Sequence, residues 1–496
     1  MRSLSICFAL CIAPLAAETP GVPDTGSLSS TDASYDGNSL VLTGHVSLNH
    51  GLGKMTAEEA SLERQEVGKD FPFSLIHLRK DVVLALKNSA KLTCSSAELD
   101  FAALKGTLFS EVNGKVVYTD QIKKKKGGEI LPLQLSGKTI DLIFSKQSLG
   151  QSTEYEIDNI LAKDEVVIDY ADNFQLFAHR ALYRKELSPD NKTPKREFQG
   201  VVTAYPQDEQ SQCRLCHLGD EILADMVDID LLGSKISLLR PKGHLATSTL
   251  PHLNNGKVQF QSDYLYWDQN KNALTLKGNI AIDEASLGQI HAQEELQIVQ
   301  TGAEGKRLLK SIQAQGPAQL TYKDMHSQPH KLVSHGLIHL DRETLKATID
   351  SPKSSGIVPI DKQLYYEEAD IAFYADNASI EYSIVDDMMR PSQLHLKGNI
   401  RLFSHDPLKP PRVGSADRLT YSLTTRTLIL SADPGKKVLF WDDSQGMRLS
   451  APEAHIVYDS ETKQQSVKGI GAVQFSFTAE EHSKLLQLFP QLKLNP

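Results

Sequence analysis

Along most of this chain apolar residues take every second position, and one nine-residue form of that alternation recurs. In LVLTGHVSL the alternate places are Leu40, Leu42, Gly44, Val46 and Leu48. LTLKGNIAI gives Leu274, Leu276, Gly278, Ile280 and Ile282, and LHLKGNIRL gives Leu394, Leu396, Gly398, Ile400 and Leu402. A fourth copy places Leu332, Ser334, Gly336, Ile338 and Leu340 in the same way. Two more keep the register without the glycine: Ile76, Leu78, Lys80, Val82, Leu84, and Ile160, Ala162, Asp164, Val166, Ile168. A period of two predicts half-buried strands with one apolar and one wet face. The intervening Thr43, His45, Ser47, His395, Lys397, Asn399 and Arg401 suit the wet face. Glycine among the apolar positions removes a side chain that could pack, so it marks a sharp bend or a place of close approach.

A second strand type, A-x-x-A-x-apolar, follows several copies: Ala57, Ala60, Leu62; Ala178, Ala181, Tyr183; Ala375, Ala378, Ile380; and Ala451, Ala454, Ile456. Cys94, Ala97 and Leu99 form a looser version. Three of the glycine-place to alanine-place spacings are 14 residues, so strand, turn, strand is the repeating unit. Tyr35, Tyr266 and Tyr322 often open it, where an amphipathic ring suits a groove edge. Helical signals are confined to the C-terminus. There Thr478 and Glu481 form a capping box before Leu485, Leu486, Leu488 and Phe489, predicting a short helix that closes one end of the sheet. The fold class expected is therefore all-β, antiparallel and built of repeated strand pairs with a short C-terminal helix. The turn-rich stretch around SPDNKTPK breaks the pattern, which gives repeats over 18–190, an insertion or linker over 191–262, further repeats over 263–477, and a terminal helix and tail over 478–496.

The first residues change the picture of compartment. Arg2, an apolar run from Leu4 to Leu15, and small residues at Ala16 and Ala17 predict a secretory signal peptide over 1–17. The run falls short of the about 20 apolar residues of a membrane span. An exported protein is expected. A formal net charge of −9 and scattered cations argue against a nucleic-acid surface, and the run Lys123 to Lys126 reads as a solvated turn.

Candidate chemistry is sparse. Cys213, Cys216 and His217 match C-x-x-C-H, the spacing of c-type haem attachment. The motif lies in a polar stretch between β repeats, without the apolar pocket that haem needs, so a local Cys213–Cys216 disulfide in an oxidising compartment is the favoured reading. No cofactor is expected. His326, His330, His335 and His339 resemble a metal cluster, but the alternation turns His335 and His339 to water, and surface histidines without metal are expected. No nucleophile, base and orienter converge, and no paired carboxylates recur on one strand face. No catalytic residue is assigned, and the chain reads as a non-enzyme.

The segment YDGNSLVLTGHVSLNHGLGKMTAEEASL resembles the repeat of the OstA/LptA family, and the likeness recurs at 266–299 and 394–421. That family is the periplasmic β-jelly-roll shared by LptA, LptC and the N-terminal part of LptD. The resemblance implies a periplasmic protein, associated with the outer-membrane side, whose strand pairs form an elongated antiparallel β-jelly-roll, an open roll whose interior holds the acyl chains of lipopolysaccharide while the sugars stay in water. Its lipid-facing residues would be Leu40, Leu42, Val46, Leu48, Leu274, Leu276, Ile280, Ile282, Leu394, Leu396, Ile400 and Leu402, with the inward glycines and alanines leaving room for chains. Expected partners are lipopolysaccharide, similar jelly-roll proteins joined through open sheet edges, and outer-membrane assembly components. An envelope assembly scaffold that carries no lipid, and a redox or haem role through Cys213, Cys216 and His217, are the alternatives.

Overall fold

The structure, a computed structural model, describes residues 27–489 except 65–72, 113, 124–128, 150–151, 172–173, 188–197, 218, 246–257, 285–287, 302–307, 324–328, 353–357, 369–370, 386–387, 405–409 and 459–464. The expected signal peptide, SPDNKTPK, Lys124 to Lys126 and His326 lie outside the described residues. Regular structure among the described residues is strand throughout, apart from two short 3-10 turns and the helix Ala479–Leu488. The fold is all-β with antiparallel pairing, as the alternation predicts.

Two compact units divide the chain: Met1–Asp120 with Ser136–Ala162, and Gln121–Leu135 with Lys163–Pro496. In the first, Ser39–His50, Gly53–Glu63, Leu75–Leu86 and Lys91–Asp100 pair in sequence order. Each pairing breaks once, halfway along. Gly44 and His45 fall in the gap between the pairs Thr43↔Glu59 and Val46↔Ala57, opposite Glu58 alone. Lys80 and Asp81 likewise face Ser95 between Arg79↔Ser96 and Val82↔Cys94. Both members of each inserted pair are left-handed, with φ of 75° and 48° at Gly44 and His45 and 60° and 53° at Lys80 and Asp81. Two residues facing one is a bulge, and it folds each long strand into two arms around a corner.

The corner explains both sequence signatures. In the alanine-type strands the corner reverses side-chain parity, so Ala57 and Ala60, three apart, are both buried. Ala375 with Ala378 and Ala451 with Ala454 repeat this. Small side chains suit the elbow because the two arms converge there. The glycines do not leave room for chains. A Cβ on Gly278 would lie 2.3 Å from Asp263 Oδ2, one on Gly398 2.5 Å from Asp376 Oδ2, and one on Gly44 2.7 Å from Thr31 Oγ1. Neighbouring corners instead brace one another. Asp263 N donates to Gly278 O at 2.9 Å and Asp376 N to Gly398 O at 3.0 Å. Asn279 and Asn399 return their side-chain amides to the same carboxylates at 2.9 and 2.7 Å.

In the second unit the arms form two antiparallel ladders. One carries a continuous inner row in which Ile229, Ile236, Trp267, Leu274, Ile298 and Ile312 face each other in turn. The other carries Leu215, Ile222, Gly243, Phe260, Ile282 and Ile290. Further along, Leu364, Phe373, Leu402 and Phe440 of one ladder pack with Ile349, Ile380, Leu394 and Leu430 of the other in a single core. Residues 198–245, expected as an insertion, are part of these ladders: Phe198–Tyr205, Met226–Asp230 and Lys235–Leu239 belong to one, and Cys213–His217, Asp220–Ala224 and Lys242–Leu245 to the other. The C-terminal helix packs at the last strands of one ladder, where Ser450 Oγ donates to Glu481 Oε1 at 2.7 Å. Leu485 and Phe489 cover the outer-face residues Val413, Leu439 and Trp441, so the strand Val438–Asp442 is buried on both faces.

Candidate functional site

The interior between the two ladders is the candidate site, because it is where apolar side chains from both arms converge. Of the positions singled out in the sequence, Leu42, Val46, Leu48, Leu276, Ile280, Leu394, Leu396, Ile400 and Leu402 are 1–3% exposed, and Leu40, Leu274 and Ile282 are half-buried. Thr43, Lys277 and Lys397, one place along, are exposed, which fixes the inner and outer parity in each copy. At Leu394 and Ile400 the inner residues fill the space themselves, in the core described above.

Between the strands Cys213–His217 and Lys235–Leu239 the packing is incomplete. A cavity there is lined by Leu215, Ile222 and Leu245 of one ladder and by Ile236, Leu238, Leu265 and Leu274 of the other. Its polar lining is His217, Asp220, Asn272 and Gln300, with Trp267 between. Asp220 adjoins the turn at Gly219, and Asn272 ends the turn after Tyr264–Asp268, so the polar end lies where both ladders reach their hairpin turns.

The motif CRLCH is one strand of this wall. It pairs on one side with Phe174–Leu187 and on the other with Asp220–Ala224. Strand alternation turns Cys213, Leu215 and His217 inward and Arg214 and Cys216 outward. The two thiols therefore leave opposite faces, both are free, and the expected Cys213–Cys216 disulfide is not formed. The same geometry does not fit a haem, whose two thioether bonds need both sulfurs on one side. Burial pushes the Cys213 thiol up to about 12, with Asp225 adding to the shift, which leaves it an unreactive core side chain.

His217 was legible only as part of the motif, and the strand gives it a different setting. Its side chain is 11% exposed. Its ring centroid lies 5.5 Å from that of Trp267 on the opposite ladder and 6.5 Å from that of Phe174. Nδ1 is buried and makes no hydrogen bond, and Oδ2 of the 3%-exposed Asp220 stands 3.9 Å away.

A second polar group crosses the interior further along. His330 Nδ1 lies 2.8 Å from Tyr366 Oη, Tyr366 Oη donates to Glu368 Oε2 at 3.4 Å, and Tyr421 Oη, on the other ladder, donates to Glu368 Oε1 at 3.1 Å. These bonds tie the ladders together near their turns. His330 is thus a core residue, not a surface histidine, and His335 is half-buried. Among the described residues no group of three or more potential ligands could hold a metal. Tyr35 and Tyr266, read as groove-edge residues, are exposed on the outer face, and Tyr421 and Tyr366 take the place at the ladder margins. Sequence reasoning missed them because their spacing relates to the turns and not to the glycine.

No family model matches the chain, and no curated protein matches it. Among solved structures it is similar to LptH, described as the LptA homologous periplasmic component of the conserved lipopolysaccharide transport device from Pseudomonas aeruginosa, at 10% identity over 26% of this chain and 80% of that chain, with a TM-score of 0.21.

Proposed function

We propose that the protein shelters the acyl chains of lipopolysaccharide between its two ladders while the sugars remain in water, as one component of a periplasmic bridge to the outer membrane. The observation that supports the reading is the continuous apolar interior to which both ladders contribute, loosely packed between Leu215 and Leu238. Each methylene kept from water is worth about 0.8 kcal/mol, so such an interior lowers the cost of moving a multi-chain lipid through an aqueous space. Similar rolls would extend the groove by strand addition at open edges, and outer-membrane assembly components would receive the lipid.

A scaffold that carries no lipid is the second reading. It is favoured by the inner residues that are buried by one another, as at Leu394, Leu396, Ile400 and Leu402. Photo-crosslinking in cells separates the two. Crosslinkers at Leu42, Val46, Leu276, Ile280, Leu396 and Ile400 are expected to capture lipopolysaccharide, and those at Thr43, Lys277 and Lys397 are not. Capture from neither face, or equally from both, supports the scaffold.

A further inference from the structure

We infer that the outer face of the second unit carries a binding site for an acidic glycan, in which Arg401 takes the carboxylate of a uronic-acid residue and Tyr365, Tyr374 and Phe403 take the apolar face of its ring. This goes beyond the lipid reading above, which concerns the interior between the ladders, and does not depend on it.

Arg401 gives the first half of the argument. Leu402 is an inner residue, so alternation turns Arg401 and Phe403 outward. Register sets Arg401 between Tyr374 of the strand Ile371–Ala375 and Ser415 of the strand Arg412–Ser422. It is half-buried, and its Nε is shut off from water without a hydrogen bond. Among the described residues its guanidinium forms no ion pair. Asp376 is occupied elsewhere, its two oxygens accepting from Asn399 at 2.7 Å and from Gln363 at 2.8 Å. Burial disfavours the charge of Arg401, and Asp376 offsets that only through space. A guanidinium cannot shed its proton to escape this cost, so it calls for an anion.

The rings around it give the second half. Tyr365 faces Tyr374 in register with centroids 5.2 Å apart, and Tyr374 lies 5.7 Å from Phe403 with the two rings 14° from parallel. All three are half-buried. Earlier in the same outer row stand Lys242, Gln261, Ala281, His291 and Gln319, so the aromatic cluster is a local departure from a polar face. A pyranose offers the matching surface, since one side of it is bare C–H and its rim is hydroxyl. Tyrosine, apolar in its body and polar at its tip, suits both. A uronic acid adds to that rim a planar, singly charged carboxylate, which fits the fork of one arginine. A phosphomonoester brings about −1.5 to −2 charges and leaves the excess unanswered. It would also stand near Glu367, whose carboxylate accepts from Tyr365 Oη at 2.8 Å. A flat sheet face holds one sugar weakly, so the ligand is a chain of them.

Calorimetric titration of the full-length protein tests this with three probes. Tetragalacturonate carries both ring and charge, its full methyl ester keeps the rings without the charge, and tetraglutamate keeps the charge without the rings. The acid is expected to bind about tenfold more tightly than either. Arg401→Gln should bring the acid and the ester within about threefold of each other, and Arg401→Lys, which keeps the charge but not the fork, should retain part of the preference. Tyr374→Val should weaken the acid and the ester alike and leave tetraglutamate unchanged. Amide exchange in Ile371–Ala375 and Met388–Ser404 matching the wild type shows that each variant is folded, and the wild-type comparisons stand without the variants. The proposal is overturned if the acid does not bind, if the ester or tetraglutamate binds as well as the acid, if inorganic phosphate at the same concentration displaces the acid, or if a folded Arg401→Gln keeps the preference. Failed crosslinking at Leu42 or Ile400 would sink the lipopolysaccharide reading and leave this result untouched.

Discussion

Gly398 and Gly435 have the same left-handed backbone, φ of 83° in each, but different surroundings. A Cβ on Gly435 would meet nothing within 4 Å, whereas one on Gly398 would press to 2.5 Å from Asp376 Oδ2. Asp376 cannot simply swing aside, since Oδ2 accepts from Asn399 at 2.7 Å and Oδ1 from Gln363 Nε2 at 2.8 Å. Gly435→Ala should therefore cost only the conformational penalty, about 1–2 kcal/mol. Gly398→Ala should cost that and an overpacking term of about 1–3 kcal/mol. Urea titration of the two variants compares them directly. Equal destabilisation would show that the corner needs only the left-handed backbone and not the close approach. Copies without glycine, such as Lys80 and Asp81, adopt the same left-handed pair, which is possible at a corner where the side chains stay exposed.

At the scale of elements, the helix Ala479–Leu488 is secured at its start by a reciprocal cap, with Glu481 N donating to Thr478 Oγ1 at 3.2 Å and Thr478 N to Glu481 Oε2 at 2.8 Å. Thr478→Ala should cost about 1 kcal/mol, seen as faster amide exchange in the first turn with the sheet unaffected. Leu485→Ala goes deeper, because Leu485 is fully buried against Val413, Leu439 and Trp441. A loss of about 2–5 kcal/mol and a red shift of Trp441 emission are expected, and an unchanged spectrum would mean that the helix does not cover that face. The cap was legible in the sequence because it is a local pattern. The docking face was legible only in part: VLFW, residues 438–441, is an unbroken apolar run, the mark of a strand covered on both sides. Alternation likewise revealed which faces of Ser39–His50, Ala273–Lys277 and Met388–Ser404 are inner. It did not reveal the strands between 198 and 245. There the arms are separate stretches of four to eight residues, and the left-handed corner residue is Arg240, so the nine-residue pattern with its glycine never appears. His217 was hidden for the same reason. A polar residue at an inner position looks like a loop until the strand is known.

For the whole molecule, the division into two compact units makes stability a property of each. The first has a built-in sensor. His50 lies against Phe101 and Tyr155, with ring centroids 4.0 and 5.0 Å away, and burial, assisted by the charge of Lys87, lowers its pKa from 6.5 to about 4. Between those values the unfolded chain binds a proton that the folded unit refuses. Stability is therefore complete above pH 6.5, falls as pH drops from 6.5 towards 4, and changes no further from this group below that. The shift corresponds to a loss on the order of 3 kcal/mol. In the second unit, hydrogen bonds and basic neighbours hold Asp225, Asp417 and Glu481 below their ordinary 3.8 to 4.5 despite burial, so their contribution is lost only at more acid pH. Hydrogen exchange followed by mass spectrometry from pH 7 to 4.5 should thus show protection falling in Ser39–His50 and Lys91–Asp100 while strands such as Thr427–Ser431 and Val438–Asp442 hold theirs, once intrinsic exchange rates are corrected. In His50→Phe, which keeps the aromatic contacts and cannot titrate, the first unit should lose its slope over that range. If the slope survives the substitution, a different group is the sensor; if both units lose protection together in the wild type, they unfold as one.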